Sequence, residues 1–235
     1  MNEAIWAVLP AAGVGSRMQA DRPKQYLPLN GQFLLEHTLD AMLSYPRIRE
    51  VVVVVSDDDP YWPESRFANH PQVNVAPGGS ERCHSVLNGL HALAGLADDN
   101  DWVAVHDIAR PCIRHSDLDA LFAQCQAGQG DGVILASPTR DTMKRGIRQA
   151  DGSVVIDHTV EREQLWHALT PQVFRLGQLR AALEGALRDG FEVTDEASAI
   201  EHAGGHPVLV AGRADNIKVT RPEDLALASL YLSQS

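Results

Sequence analysis

Residues 5–18 of this chain, IWAVLPAAGVGSRM, decide its fold. The apolar run from Ile5 to Leu9 predicts a buried strand, and a turn of small residues follows it directly. Gly13 and Gly15 have no Cβ atom, so the backbone there can adopt positive φ and approach a ligand with its amides pointing inward. Such a turn after a first strand predicts a site for an anion, and a phosphate chain fits it best.

Two cations follow this turn. Arg17 and Lys24 add positive charge where the backbone amides already favour an anion. The chain contains three lysines, Lys24, Lys144 and Lys218, and each lies in a segment with other functional features. We interpret these lysines as functional groups, because the chain elsewhere uses Asp and Glu as its surface charge.

The composition excludes several classes of protein. The net charge of −11 over 235 residues argues against a nucleic-acid polymer or an anionic membrane as partner, because both need a broad basic face. The cysteines Cys83, Cys112 and Cys125 form no CxxC pair, which predicts reduced thiols and no zinc ribbon. No signal peptide or apolar stretch of about 20 residues is evident, so we expect a cytoplasmic protein without a membrane anchor.

Strand and helix patterns alternate through residue 136. Five short apolar runs predict strands at Ile5–Leu9, Val51–Val55, Val73–Ala76, Trp102–His106 and Val133–Ala136. Apolar residues at three- and four-residue spacing predict helices at Leu34–Leu43, Ser85–Leu96 and Leu118–Cys125. Ser116 with Asp119 resembles a capping box at the start of the third helix. This alternation predicts a doubly wound, mostly parallel sheet.

The C-terminal part returns to the same pattern. We predict helices over Leu179–Leu187 and from Asp195 onward, and strands over Val208–Ala211 and Ile217–Val219. A capping box at Thr220–Glu223, with an early proline, predicts the start of the last helix.

Residues 138–165 form the exception to this pattern. They are rich in charged and polar side chains around an Asp151-Gly152 turn, with Val154, Val155 and Ile156 beside it. This predicts a hairpin that leaves the main body, since the segment has too little apolar surface for a core of its own. Exposed strand edges need covering, so we expect a second copy of the chain to pack here, although a plain surface loop is the alternative.

Four segments lie at the ends of predicted elements, where an open α/β sheet places its ligand. They are the glycine turn, residues 77–82 with Ser80 as the expected helix cap, residues 106–111 and residues 215–218. For phosphate chemistry, Asp107 is the first candidate to hold a divalent cation and Asp215 the second. Three cations of these segments would neutralise charge on a five-coordinate phosphorus and on departing pyrophosphate, namely Arg17, Lys24 and Lys218.

Some single features of the sequence also allow other interpretations. A dinucleotide-binding turn needs a third glycine where this chain has Met18, which disfavours a dehydrogenase. Asp107 alone could be a buried helix-capping residue. The ten histidines show no HExxH spacing, which disfavours metal binding by histidine, and His106 is expected to point to the other face of the sheet.

Several motifs together resemble a known family. LPAAGVGSRM followed by PKQYL resembles nucleotidyltransferases that join a nucleoside triphosphate to a phosphorylated sugar or alcohol. Further motifs resemble the 2-C-methyl-D-erythritol 4-phosphate cytidylyltransferases in order along the chain: PGGSERCHSVLNGL, VHDIARP, RDTMKR, HTVERE, LWHALTPQ, TDEASAIE and GRADNIKVTRPEDL. The resemblance implies one Rossmann-like nucleotidyltransferase domain over 1–235, with CTP and Mg²⁺ as ligands and a homodimer formed by the β-arm at 138–165.

The resemblance also implies a role for each matching residue. Those that would hold the triphosphate of CTP are Ala11, Ala12, Gly13, Gly15, Arg17 and Lys24. Those near cytosine and ribose would be Gly79, Ser80, Arg82 and Ser85, with Asp107 near the magnesium and the ribose. The methylerythritol phosphate would contact Arg110, Thr170, Thr194 and Lys218, with Thr142 and Arg162 supplied by the partner's arm.

Two residues depart from the family pattern. Ile108 stands where alanine is common, so it either crowds the nucleotide or turns away from it. Ser16 stands where some members have another arginine, which predicts somewhat weaker triphosphate binding. The alternatives left open are a cytidylyltransferase for ribitol 5-phosphate or another polyol phosphate, and a non-catalytic nucleotide-binding regulator on the same fold.

Overall fold

The computed structural model describes residues 5–13, 15, 18 and 20–234. Its strands are β1 Ile5–Pro10, β2 Pro28–Leu29, β3 Gln32–Phe33, β4 Ile48–Val55, β5 Val73–Pro77, β6 Trp102–Val105, β7 Val133–Pro138, β8 Met143–Arg148, β9 Val154–Val160, β10 Trp166–Arg175 and β11 Val208–Ala211. Its helices are α1 Leu34–Leu43, α2 Arg82–Ala92, α3 His115–Ala127, α4 Leu176–Arg188, α5 Glu196–His202 and α6 Pro222–Leu232.

Seven of these strands form one sheet in the order β11-β7-β10-β6-β1-β4-β5. All neighbours pair in parallel except β10, which runs antiparallel between β6 and β7. This confirms the prediction of a mostly parallel α/β sheet. Strand β1 lies between β4 and β6, so the glycine turn leaves the sheet near its middle.

Alternation along β1 explains why both faces of the sheet are covered. Ile5, Ala7 and Leu9 pack into the core cluster that contains residues of α1 and α3. Trp6 and Val8 pack into the opposite cluster, with residues of α2, α4 and α5. Side chains of a strand alternate between faces, so a strand buried on both sides must be apolar throughout. Each such side chain contributes roughly 1.5–3 kcal/mol by burial.

Strand β10 and the segment 217–219 differ from the sequence prediction. Pattern reading did not identify β10, because its motif LWHALTPQ mixes polar and apolar residues around Pro171. The predicted strand Ile217–Val219 is wrong, since the segment joins no sheet. Val219 is buried beside α6, and its amide donates to the Ala109 carbonyl at 2.8 Å.

Two predicted helix starts are also wrong. Helix α2 begins at Arg82 with Glu81 as its N-cap residue, so Ser80 does not cap it. Helix α3 begins at His115, and the Asp117 carboxylate accepts a hydrogen bond from the Arg114 amide at 3.4 Å. Ser116 therefore lies inside the first turn and forms no box with Asp119.

Helix α6 begins close to its prediction, with Pro222 as its first residue. The N-cap residue is Arg221 rather than Thr220. The carboxylate of Asp224, not of Glu223, accepts hydrogen bonds from the amides of Thr220 and Arg221, each at 2.8 Å.

The segment between β7 and β10 is a two-stranded hairpin, β8 and β9, which we call the arm (residues 139–165). A backbone hydrogen bond of 2.9 Å from Thr139 to Leu165 closes its base. The arm exposes apolar side chains on both strands, among them Ile147, Val154 and Ile156. No helix among the described residues combines the length and apolarity that crossing a bilayer requires.

Candidate active site

A cavity of about 380 Å³ opens at the carboxyl ends of β1 and β6. This is where an open α/β sheet leaves a crevice for a ligand. Ten residues that the sequence singled out line it, namely Ala11, Ala12, Gly13, Lys24, Gly79, Ser80, Arg82, Ser85, Asp107 and Lys218. The structure thus gathers four segments from distant parts of the chain around one space.

Gly15 and Lys24 are fitted to each other. Gly15 has φ +65°, and a Cβ atom there would lie 2.9 Å from the Lys24 Cγ, so only glycine is accommodated. Lys24 Nζ donates to the carbonyl of Val219 at 2.9 Å, which holds the ammonium at the cavity. Arg17 and Ser16 lie outside the described residues, so their predicted roles stay predictions.

Some backbone groups of the glycine turn already form hydrogen bonds within the protein. The amide of Ala11 donates to the carbonyl of Val54 at 2.7 Å, as a continuation of the sheet. The carbonyl of Ala11 accepts from Gln25 Nε2 at 2.5 Å. Ala11 therefore shapes the turn, and the backbone of Ala12 and Gly13, which also lines the cavity, is better placed to receive phosphate oxygens.

The second glycine segment forms the opposite wall. A Cβ atom on Gly79 would lie 2.3 Å from the His84 Cβ, so a larger residue would force the turn apart. Ser85 Oγ accepts from the Gly79 amide at 3.0 Å and donates to the Glu81 carbonyl at 3.1 Å. Ser85 thus fixes the turn that carries Ser80 and Glu81 to the cavity.

Asp107 is the centre of the charge in this site. Its carboxylate contacts Arg82 Nε at 3.0 Å, Lys218 Nζ at 2.9 Å and Arg110 Nε at 3.4 Å. Burial alone would raise the pKa of Asp107, but the charges of Arg82, Lys218 and Arg110 hold it far below its ordinary value. The group is therefore an anion at neutral pH.

Arg82 has a second anionic partner that sequence reasoning missed. Glu196, the first residue of α5, is fully buried, and its two oxygens accept from Arg82 Nη1 at 2.6 Å and Nη2 at 3.1 Å. Burial lowers the pKa of Arg82, yet the Glu196 and Asp107 charges raise it above its ordinary value. Only the motif TDEASAIE pointed to this residue, and an acidic first turn is too common in helices to single it out.

His106 is not on the cavity lining, and its expected place on the other face of the sheet stays a prediction. Its ring is fully buried and bonds Thr170 Oγ1 at 2.9 Å and the Arg110 carbonyl at 3.2 Å. Since a carbonyl only accepts, Nε2 carries the proton and Nδ1 accepts from the Thr170 hydroxyl. The same hydroxyl accepts from the Asp107 amide at 3.0 Å, so the ring fixes the position of Asp107.

Arg110 and Thr170, predicted to contact the acceptor phosphate, are both buried behind Asp107. Arg110 Nη1 donates to the Asn216 carbonyl at 2.8 Å, and burial lowers its pKa. Asn216 Nδ2 in turn donates to the Thr170 carbonyl at 2.8 Å. In this structure the two residues brace the loop of Asp107, and neither is on the cavity lining.

His106 predicts a pH dependence of stability. Burial lowers its pKa to about 4, against 6.5 in the unfolded chain. Between those values only the unfolded state binds the proton, so stability is complete above pH 6.5 and falls by about 3 kcal/mol as the pH drops to 4. We expect this loss in denaturant unfolding of the native protein.

The His106→Asn variant serves as the comparison, because it keeps a donor and an acceptor without titrating. Its unfolding free energy should fall less steeply over the same pH range. Equal slopes for the two proteins would show that His106 does not remain neutral in the folded state.

Asp215, the second metal candidate, lies off the cavity lining. Its carboxylate accepts from Arg114 Nη2 at 3.0 Å and from Arg213 Nη2 at 2.8 Å and Nε at 3.0 Å. The hydrogen bonds from Arg213 lower the pKa of Asp215, and burial acts in the opposite direction. Asp215 is a poorer metal candidate than Asp107, because only Asp107 lines the cavity.

Three other predicted residues are exposed and lie away from the cavity lining. Thr142 and Arg162 are on the arm, where an Arg162 guanidinium nitrogen donates to the Arg140 carbonyl. Thr194 precedes Asp195, the N-cap residue of α5. Ile108 packs into the core cluster beside α1 and α3, and it also lines the cavity.

Comparison with known proteins agrees with this geometry. Residues 5–234 match the sequence model of the 2-C-methyl-D-erythritol 4-phosphate cytidylyltransferase family. Proteins of that name from Vibrio atlanticus (strain LGP32) and Haemophilus influenzae (strain 86-028NP) are 55% and 54% identical to this chain, covering 99% and 100% of it and 97% and 99% of the relatives. The crystal structure of the protein of the same name from Francisella tularensis superposes with a TM-score of 0.84 at 35% identity, covering 97% of this chain and 99% of that one. The chain therefore belongs to the 2-C-methyl-D-erythritol 4-phosphate cytidylyltransferase family.

Proposed function

We propose that this protein is a nucleotidyltransferase that transfers a cytidylyl group from CTP to 2-C-methyl-D-erythritol 4-phosphate, releasing pyrophosphate. The observation that carries the proposal is the convergence of Lys24, Arg82 and Lys218 on one cavity around Asp107. An otherwise acidic chain thus concentrates cations where two phosphorylated reactants must meet. The family and the relatives described above are named for this reaction.

The acceptor is the methylerythritol phosphate and not ribitol 5-phosphate. The relatives from Vibrio atlanticus and Haemophilus influenzae are named for 2-C-methyl-D-erythritol 4-phosphate and are 55% and 54% identical over nearly the whole chain. A non-catalytic regulator is also disfavoured, because Lys24, Asp107 and Lys218 are all present and share the cavity.

The site needs no general base. A phosphate monoester with a second pKa near ~6 is already largely a dianion at neutral pH, so its oxygen can attack the α-phosphorus of CTP directly. The bond from the α-phosphorus to the bridging oxygen breaks and pyrophosphate leaves with the electron pair. Lys24 and Lys218 stabilise the charge that develops, and the walls at Gly13 and Gly79 hold the reactants in line.

Magnesium is the cofactor we propose, with Asp107 as its protein ligand. Mg²⁺ prefers hard oxygen ligands and commonly takes one or two carboxylates together with substrate phosphates, which the Asp107 carboxylate beside a triphosphate site would satisfy. Lys218 now pairs with Asp107 Oδ2 at 2.9 Å but is partly exposed, so it can move to the phosphates and leave that oxygen with only the longer 3.4 Å contact to Arg110. When bound, the metal would withdraw charge from the phosphate oxygens.

The remaining predicted residues belong to the acceptor side and to assembly. We propose one domain over 1–235 that forms a homodimer through the arm, and that Thr142 and Arg162 reach the partner's acceptor site. The exposed apolar side chains of β8 and β9 support this, because single chains seldom leave such a patch uncovered. Thr194 would contact the acceptor from the same chain. The cytoplasmic location stays a prediction, consistent with three free cysteines.

Ile156→Asp tests the dimer. Ile156 is 65% exposed in the single chain, so the change should leave the monomer stable. Within an interface it would bury an unpaired carboxylate, which should weaken association by at least about 100-fold. Sedimentation over a concentration series measures this, and Leu230→Asp on α6, also exposed, is the matched control. A variant that dimerises as well as the control would exclude the arm.

The reaction itself is tested by pyrophosphate release. The protein is mixed with Mg²⁺, one of the four nucleoside triphosphates and one polyol phosphate at a time. We expect release with CTP and 2-C-methyl-D-erythritol 4-phosphate, and little with ribitol 5-phosphate. Release that depends on a different nucleotide, or on no acceptor at all, would contradict the proposal.

A further inference from the structure

Glu81, Cys83 and His84 bring three different metal-binding atoms together at the start of α2. Cys83 Sγ lies 3.8 Å from Glu81 Oε2 and 3.8 Å from His84 Nδ1. One ligand atom from each of the three residues lies within 4.8 Å of the others. We call this group the Glu81–Cys83–His84 cluster. None of its side chains has a part in the transfer reaction proposed above.

The spacing of the cluster fits a tetrahedral zinc ion. Zn–S bonds of about 2.3 Å and Zn–N and Zn–O bonds of about 2.0–2.2 Å place neighbouring ligand atoms about 3.4–3.6 Å apart at tetrahedral angles. The two separations of 3.8 Å at Cys83 would need to shorten by a few tenths of an ångström, and the separation between Glu81 and His84, which lies within 4.8 Å, by at most about 1.4 Å. Side-chain rotation alone provides a change of that size, so the backbone of the helix start would keep its position.

The charges of the cluster also suit a divalent cation. Burial raises the pKa of the Cys83 thiol, and the negative charge of Glu81 raises it further, so the free cysteine keeps its proton. A dication would replace that proton and would be neutralised by one thiolate and one carboxylate. The positive end of α2 opposes a cation only weakly. Arg82 does not compete, since its guanidinium is turned to Glu196 and Asp107.

We propose that the Glu81–Cys83–His84 cluster is a zinc site, separate from the magnesium of the reaction. A sulfur, nitrogen and oxygen set suits Zn²⁺, whereas Mg²⁺ prefers oxygen ligands alone. Three protein ligands leave a fourth position open to water or another ligand. Glu81 also lines the nucleotide cavity, so the ion would sit at the edge of the active site.

Cobalt substitution tests the site without relying on activity. The full-length protein is freed of metal with a chelator and titrated with Co²⁺, whose thiolate complexes absorb in the near ultraviolet and whose tetrahedral complexes absorb in the visible. We expect one Co²⁺ per chain with a thiolate band, displaced by equimolar Zn²⁺ and unaffected by excess Mg²⁺. Absence of a thiolate band in the native protein would overturn the proposal.

Three variants assign the ligands. Cys83→Ser, which keeps the size of the side chain, should abolish the thiolate band. His84→Ala should keep that band but weaken Zn²⁺ binding by at least about 10–100-fold, since even loss of a group behind a ligand costs that much. Cys125→Ser is the matched control, because Cys125 is equally buried in α3. A band that survives in Cys83→Ser, or disappears in Cys125→Ser while circular dichroism shows a folded protein, would place the metal elsewhere.

Discussion

Lys24→Ala is expected to lower kcat/KM for cytidylyl transfer by roughly 10²–10³-fold, the usual cost of removing one group that stabilises transition-state charge. Lys24 holds its ammonium at the cavity through the Val219 carbonyl, and its stem packs against Gly15. The charge it neutralises grows as the bond to pyrophosphate breaks, so most of the loss should appear in kcat. Steady-state kinetics with saturating Mg²⁺ would measure the effect.

The control for Lys24 is another lysine of the same chain. Lys144 lies exposed on the arm, and its ammonium donates to Thr159 Oγ1 at 2.6 Å. Lys144→Ala removes the same charge outside the cavity and should change kcat/KM by no more than a few-fold. The thermal midpoint of Lys24→Ala should stay near that of the native protein. Equal activity of the two variants would remove Lys24 from the reaction.

Glu196→Ala is expected to cause the largest loss of stability. It removes the fully buried carboxylate and leaves the partly buried guanidinium of Arg82 with one partner in place of two, and breaking a buried pair typically costs about 3–5 kcal/mol. For a chain of this size the midpoint of thermal unfolding should fall by roughly 6–20 °C. Calorimetry measures the shift, and isothermal titration with CTP measures the affinity, which should fall because Arg82 lines the cavity.

Glu223 provides the contrast for Glu196. It faces Arg221 at 3.9 Å, and both side chains are about 70% exposed, so Glu223→Ala should cost less than about 1 kcal/mol. Glu196→Gln keeps one acceptor oxygen for Arg82 and should fall between the two alanine variants. If Glu196→Ala unfolds at the same temperature as Glu223→Ala, the buried pair does not stabilise the fold.

The central strands were predictable because each is apolar through its full length. A strand such as β4, which is buried on both faces, leaves little choice of interpretation, and the sequence placed it to within a few residues. The hairpin of the arm was predicted from its Asp151-Gly152 turn and its lack of core residues, with a plain surface loop as the alternative, and the structure confirms the hairpin. Parallel order then followed from the alternation of strands and helices.

Elements stabilised by distant partners were not predictable. Strand β10 forms its ladder with β6 and β7, and nothing local in its mixed sequence favours an extended conformation. Helix starts failed where several polar residues compete for the cap, as at Ser80 and Glu81. At 217–219 the apolar pattern indicated burial correctly, but no neighbouring strand is available for pairing.

The site was predictable where backbone or charge revealed it. Glycine turns and carboxylates at strand ends predicted the cavity residues, and ten of the predicted residues line the cavity in the structure. Glu196 and Arg82 are 114 positions apart, so their pairing had no signal in the chain itself. The same holds for His106, whose value lies in orienting Thr170 and Asp107.

Strand β10 has a mechanical consequence. It begins at the base of the arm with Trp166 and, within the same strand, reaches Thr170, whose hydroxyl receives the amide of Asp107. One strand therefore joins the arm to the loop of Asp107, although its pairing with β7 is irregular between Ala168 and Gln172. A tilt of the arm would shift Thr170 and, through it, Asp107. Variants in the arm therefore need to be assayed for turnover as well as for dimer formation.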